Sequence, residues 1–140
     1  MRLAHQFFVT GSDSHGILFG PFGSGHGIFA DAVRVFWYGA SMGTNSLSVG
    51  VFCVERLPPD FLQVGQFPEA YLPSDFGSDV GRVVTRIHCS GGTLNTGFTD
   101  LVVPDIPIDR REFEGKWVGV RVSGGGDDVG GFVGVVPGFP

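Results

Sequence analysis

The sequence predicts an all-β chain, an antiparallel two-sheet β-sandwich of jelly-roll-like form with about eight strands. Three observations carry that prediction. Val, Ile, Phe, Tyr, Trp and Thr supply 48 of the 140 residues, and these side chains suit a pleated, half-buried surface. Glycine (24) and proline (9) punctuate the chain so densely that its longest stretch free of both, Ile28 to Tyr38, is 11 residues. An internal Gly costs a helix about 1 kcal/mol and Pro about 3, which argues against long helices. The segments between breaks alternate apolar and polar residues with a period of two, the signature of strands.

Taken in order, QFFVT (6–10) and GILF (16–19) are short strands either side of a Gly-Ser-Asp-Ser turn, and GPFGSGHG (20–27) is loop. ADAVRVFWY (30–38) sets Val33, Val35 and Trp37 on the core face, with Phe36 and Tyr38 opposite. LSVGVFCVE (47–55) sets Leu47, Val49, Val51 and Cys53 on one face, and MGTNS between these two strands reads as a hairpin turn. Residues 58–75 hold four prolines and form the longest irregular stretch, with at most a short strand at 61–64 or a helical turn. GRVVTRIHC (81–89) alternates, and residues 98–103 form a strand ended by Pro104. A crossing over 107–114 leads to KWVGVRVS (116–123), with Val118, Val120 and Val122 inward. The turn GGGDD follows, and a last strand over 129–136 closes against KWVGVRVS. No second composition regime and no fixed-period repeat interrupts this, so residues 1–140 read as one domain.

Charge and motifs exclude more functions than they suggest. The formal net charge is −5 with a single lysine, Lys116, and the arginine pairs 82/86 and 110/111 have acids nearby, so no basic patch for nucleic acid is expected. No apolar run reaches the length of a membrane span, and the start lacks the apolar core of a signal peptide. Cys53 and Cys89 are too few for a disulfide framework and leave two readings open, buried thiols or one cross-strand bridge. The four histidines form no His-x-His or His-Glu-x-x-His cluster, so neither a metal nor another cofactor is expected. Asp127 with Asp128, and Asp75 with Asp79, read as turn aspartates bonding their own backbone, with a calcium loop as the rival.

Two catalytic patterns occur out of context. Gly39-Ala40-Ser41-Met42-Gly43 fits Gly-x-Ser-x-Gly, but a nucleophile elbow needs a helix next and here a strand follows. Gly25-His26-Gly27-Ile28-Phe29-Ala30 fits a loose dinucleotide fingerprint and also runs into a strand. A non-enzyme is therefore expected, with no catalytic residues. Aromatics remain: 14 phenylalanines for core and inter-subunit packing, and Trp37, Tyr38 and Trp117 as rings able to stack on sugars.

The stretch IPIDRREFEGKWVGVRV (106–122) resembles a late-strand signature of jelly-roll carbohydrate-binding and galactose-binding-like domains, in which an apolar-Asp segment passes through an aromatic-x-Gly-Lys turn into an alternating strand. The positions are Ile108-Asp109, Phe113, Gly115-Lys116 and Trp117 to Val122, and VRVFWYG with SLSVGVFCV resembles that group's central hairpin. The motif is structural, with Gly making the turn, Lys capping it and Val filling the core. It implies the fold rather than a ligand set. A small, Gly- and Phe-rich, lysine-poor β chain without a signal peptide also looks like accessory structural proteins of tailed bacteriophages. That resemblance implies a virion component, a capsid decoration or a tail or fibre part, assembled in the host cytoplasm. Its partners would be copies of itself and other virion proteins, with neither nucleic acid nor membrane. Phe7, Phe8, Phe132 and Phe139, near the two chain ends, are the interface candidates. The alternative is a carbohydrate-binding module that takes a glycan on Trp37, Tyr38 or Trp117.

Overall fold

The structure, a computed structural model, describes residues 3–11, 13–41, 44–55, 81–93 and 103–139, with the backbone alone over most of 81–93. The described residues form eight strands: β1 (Ala4–Val9), β2 (Ser14–Phe19), β3 (Phe29–Gly39), β4 (Thr44–Val54), β5 (Gly81–Thr93), β6 (Ile106–Pro107), β7 (Trp117–Ser123) and β8 (Val129–Gly138). One 3₁₀ turn, Ser24–His26, is the helical element among them. Two four-stranded antiparallel sheets result, ordered β1-β8-β3-β6 and β2-β7-β4-β5. The pairs β1·β8, β2·β7, β3·β6 and β4·β5 are those of one long hairpin whose two arms run from β1 to β4 and from β5 to β8. Rolling that hairpin adds β3·β8 and β4·β7 and closes the jelly roll.

Alternation places the core as expected. Val33, Val35 and Trp37 from β3, Leu47, Val49, Val51 and Cys53 from β4, and Val118, Val120 and Val122 from β7 meet in one cluster between the sheets, joined by Phe7, Val9, Ile17, Phe19, Val129 and Val133. Fully burying side chains of this size contributes about 1.5–3 kcal/mol each. A smaller cluster of Leu18, Phe52 and Val54, with Trp117 packed against it, lies on the other face of the second sheet.

Connectivity departs from the sequence reading. The strands β3 and β4 do not pair, and neither do β7 and β8: each pair crosses from one sheet to the other. Only β4 and β5 are both consecutive and hydrogen-bonded. Alternation fixes which face of a strand is apolar, and a turn that crosses over the core serves that face as well as a hairpin does. The crossing after Pro104 contains a two-residue strand, in which Ile106 and Pro107 pair with Val33 and Ala32. The expected strand over 98–103 and the reading of 58–75 lie outside the described residues, apart from Val103, which is buried outside any strand.

Cys53 is a buried thiol that donates to the Glu112 carbonyl at 3.6 Å. In the β4–β5 register Cys53 stands opposite Arg82, while Cys89 stands opposite Leu47. Six residues of strand separate the two by about 20 Å, far beyond disulfide reach, so the bridge reading is set aside.

At one end of the roll, polar side chains replace hairpin ladders. The Asp128 carboxylate accepts the Gly11 N–H at 2.9 Å, and the Asp128 N–H donates to Ser41 Oγ at 2.7 Å. Asp127 accepts the Ser46 N–H at 3.1 Å. Asn45, fully buried, accepts from the Ser41 N–H and donates to the Ser41 carbonyl, both at 3.0 Å. These aspartates bond distant backbone rather than their own, and so tie the β1–β2, β3–β4 and β7–β8 crossings together. Replacing Asn45 by Ala leaves two part-buried backbone groups of Ser41 without this partner and is expected to cost about 1–3 kcal/mol in urea unfolding with an unchanged m-value.

Candidate functional site

Among the described residues, the outer face of the β1-β8-β3-β6 sheet is where large apolar side chains are exposed together. Phe8 is 51% exposed, Phe36 48% and Phe132 45%. Register explains their convergence. Phe132 on β8 stands directly opposite Phe36 on β3 and, on its other side, opposite Gln6 on β1. One row away, Gly130 is flanked by Phe8 and Tyr38, and a Cβ built on Gly130 would come within 2.9 Å of the Phe8 ring, so the two aromatics close over the glycine. One row the other way, Gly134 stands between Ala4 and Arg34, and Val136 follows. Gly134 thus floors a shallow groove of about 360 Å³, walled by Phe132 and Phe36 on one side and by Val136 and Pro137 on the other.

The charge at the edge of this face is neutralised. Arg34 makes a two-pronged ion pair with Asp105, Nε to Oδ1 at 3.0 Å and Nη2 to Oδ2 at 2.7 Å. The bond holds the Asp105 carboxyl below its usual range and raises the arginine. Further along β3, Arg110 pairs with Asp31 at 2.6 Å while its guanidinium lies 4.6 Å from the centre of the Phe29 ring.

The residues singled out from sequence separate into three places. Phe8 and Phe132 share the outer face, and Tyr38 lies half-buried beside them. Phe7 and Trp37, each 1% exposed, are core. Phe7 has the parity of Val9 and Trp37 that of Val33 and Val35, so both point inward and neither serves as an interface or a sugar platform. Trp117 packs with Leu18, Phe52 and Val54 on the outside of the opposite sheet. Tyr38, Trp37 and Trp117 therefore form no common platform. Phe139, 70% exposed, follows the last residue of β8, off the aromatic rows. Phe36, missed as an interface residue, was legible as the neighbour of Trp37 on the face opposite the core.

The motif residues have structural partners. Ser41 sits in the crossing between sheets, its hydroxyl accepting from Asp128. The Gly25–Ala30 stretch contains the 3₁₀ turn and the start of β3. Among the described residues no three His, Cys, Asp or Glu side chains gather as metal ligands, and no helix is long and apolar enough to cross a membrane. In the turn over 109–116, the Asp109 carboxylate accepts the Arg111 N–H at 2.9 Å, and Phe113 is buried. Lys116 reaches Glu55 at 3.6 Å instead of capping that turn. No protein-family model and no curated protein matches the chain.

One titratable pair lies between the sheets' ends. The His5 and His15 rings stand 5.5 Å apart. Burial, and then the neighbouring His5, lower the His15 pKa below 6.5. The unfolded chain therefore takes the proton first, so this contribution to stability is full above about pH 6.5 and is lost as pH falls below it. The melting temperature is expected to drop from pH 7 to 5.5, before the paired carboxylates titrate. His15→Gln should flatten that slope in differential scanning calorimetry.

Proposed function

We propose that this chain is a non-enzymatic structural or assembly protein that works through protein–protein contacts on the outer face of the β1-β8-β3-β6 sheet. The observation that supports the reading is the cluster of Phe8, Phe36 and Phe132, each about half exposed, on a single face. Half of a phenylalanine surface is on the order of 100 Å², so the three rings alone leave roughly 300 Å² of apolar surface in one patch. This is in the range of about 300–600 Å² of the largest apolar patch on a typical monomer, which is often functional. The resemblance to accessory proteins of tailed bacteriophages extends the reading to a virion component, a capsid decoration or a tail or fibre part. Its partners are further copies or other virion proteins.

The test is the absolute mass of the full chain by light scattering over a rising concentration series. A discrete assembly supports the reading. The carbohydrate-binding alternative retains Tyr38 and Trp117 as candidate rings, and it predicts a monomer that binds an immobilised glycan and loses that binding in Tyr38→Ala or Trp117→Ala. That result would replace the assembly reading.

A further inference from the structure

The aromatic face is corrugated, and the corrugation fits itself. Along β8 the outward positions read Gly130, Phe132, Gly134, Val136, alternating small and large at about 6.6 Å per step. Phe132 and Phe36 make a ridge, and the next row, Ala4-Gly134-Arg34, makes a furrow. Consider a two-fold axis parallel to the sheet, perpendicular to β8 and level with Val133. It carries residue 132 onto the position of 134, and the row of Phe36 onto the row of Arg34. A ridge on one copy then enters a furrow on the other, twice, by symmetry.

We propose that the occupant of this face is a second copy of the chain, docked face to face about that axis, with Phe132 of each copy seated over Gly134 of the other and Phe36 over Arg34. The inference rests on the assembly reading above and names its partner.

Charge favours this occupant, and area limits its strength. The chain carries a net charge of −5, which would ordinarily oppose self-association. The described side chains on these rows are Ala4, Gln6, Phe8, Ala32, Arg34, Phe36, Tyr38, Phe132 and Val136, and among them Arg34 is the one formal charge, neutralised by Asp105. Two copies therefore meet here without like charges opposed, and a phenylalanine ring over a guanidinium gains a cation–π contact. A stable complex buries about 800 Å² per partner. A patch built from three strands and three half-exposed rings falls at or below that figure, so a reversible, concentration-dependent dimer is expected.

Gly134 cannot serve as the test position, because a Cβ there would stand 2.8 Å from the Leu3 carbonyl oxygen and disturb the strand itself. Phe132 is half exposed, so Phe132→Asp leaves the core intact, and thermal melting confirms that it folds. Sedimentation equilibrium of the full chain compares wild type, Phe132→Asp, Ala4→Lys (which fills the furrow) and Phe139→Asp (off the rows). The expected result is a wild-type dimer, at least tenfold weaker association in Phe132→Asp and Ala4→Lys, and a change within about twofold in Phe139→Asp. A wild type that stays monomeric overturns the second copy as occupant. An assembly whose mass is untouched by Phe132→Asp, or a trimer or open-ended oligomer, overturns this two-fold face while leaving the assembly reading in place.

Discussion

A rolled hairpin must send nearly every connection from one sheet to the other, and the Asp127–Asp128 corner shows how this chain meets that constraint. A tight hairpin satisfies its backbone by continuing the ladder across the turn. A crossing cannot, because its flanking strands belong to different sheets. Here the β7–β8 crossing supplies two carboxylates, one bonded to Gly11 after β1 and the other to Ser46 at the start of β4. The same segment gives its Asp128 N–H to Ser41 and accepts the Ala40 N–H at 2.8 Å. Three crossings thus share one set of bonds, which fixes the spacing of the sheets at this end. Of the two carboxylate pairs weighed as calcium loops, Asp127 and Asp128 are engaged as backbone acceptors, and Asp75 with Asp79 lies outside the described residues.

The central position of β8 makes a second demand. It pairs with β1 along one edge and with β3 along the other. At Gly131, φ is +153°, and a Cβ would collide with the Phe36 carbonyl and approach the Trp37 Cα to 2.7 Å. Only glycine lets the two strands come this close. On the opposite parity, Gly130 and Gly134 leave the outward positions on either side of Phe132 without side chains. Phe132 therefore stands up between two low positions. The relief of the outer face thus comes from Gly130 and Gly134 and the close approach of the strands from Gly131, glycines on opposite faces of one strand.

Period-two alternation made most of this fold readable. The inward sets of β3, β4 and β7 follow from it directly, as does the burial of Trp37, whose parity with Val33 and Val35 outweighs any wish to stack it on a sugar. The same rule applied to Phe7 and Phe8 separates them: consecutive strand residues face opposite ways, so a pair of adjacent phenylalanines supplies one core residue and one surface residue. Partner choice was not readable, because Val-rich strands of equal parity are interchangeable as neighbours until the whole roll is closed. The shared aromatic row was hidden for the same reason. Phe36 and Phe132 lie 96 positions apart in sequence, and only the β3–β8 register places them side by side.

The distribution of charge completes the separation between structure and surface. The described arginines next to the aromatic sheet are matched one to one, Arg34 with Asp105 and Arg110 with Asp31, in exposed pairs that contribute little to stability on their own. Their effect is to remove an unpaired charge from the border of an apolar face without removing the polar rim that keeps the face in water. A buried core needs no such rim, and a surface meant only for solvent needs no row of half-exposed phenylalanines. The combination, an apolar centre with neutralised charges at its edge, is what the contact surface proposed above requires. Its central strand β8 is paired on both sides, so on the proposed reading the rings are presented on a backbone that needs little further ordering when a partner covers them.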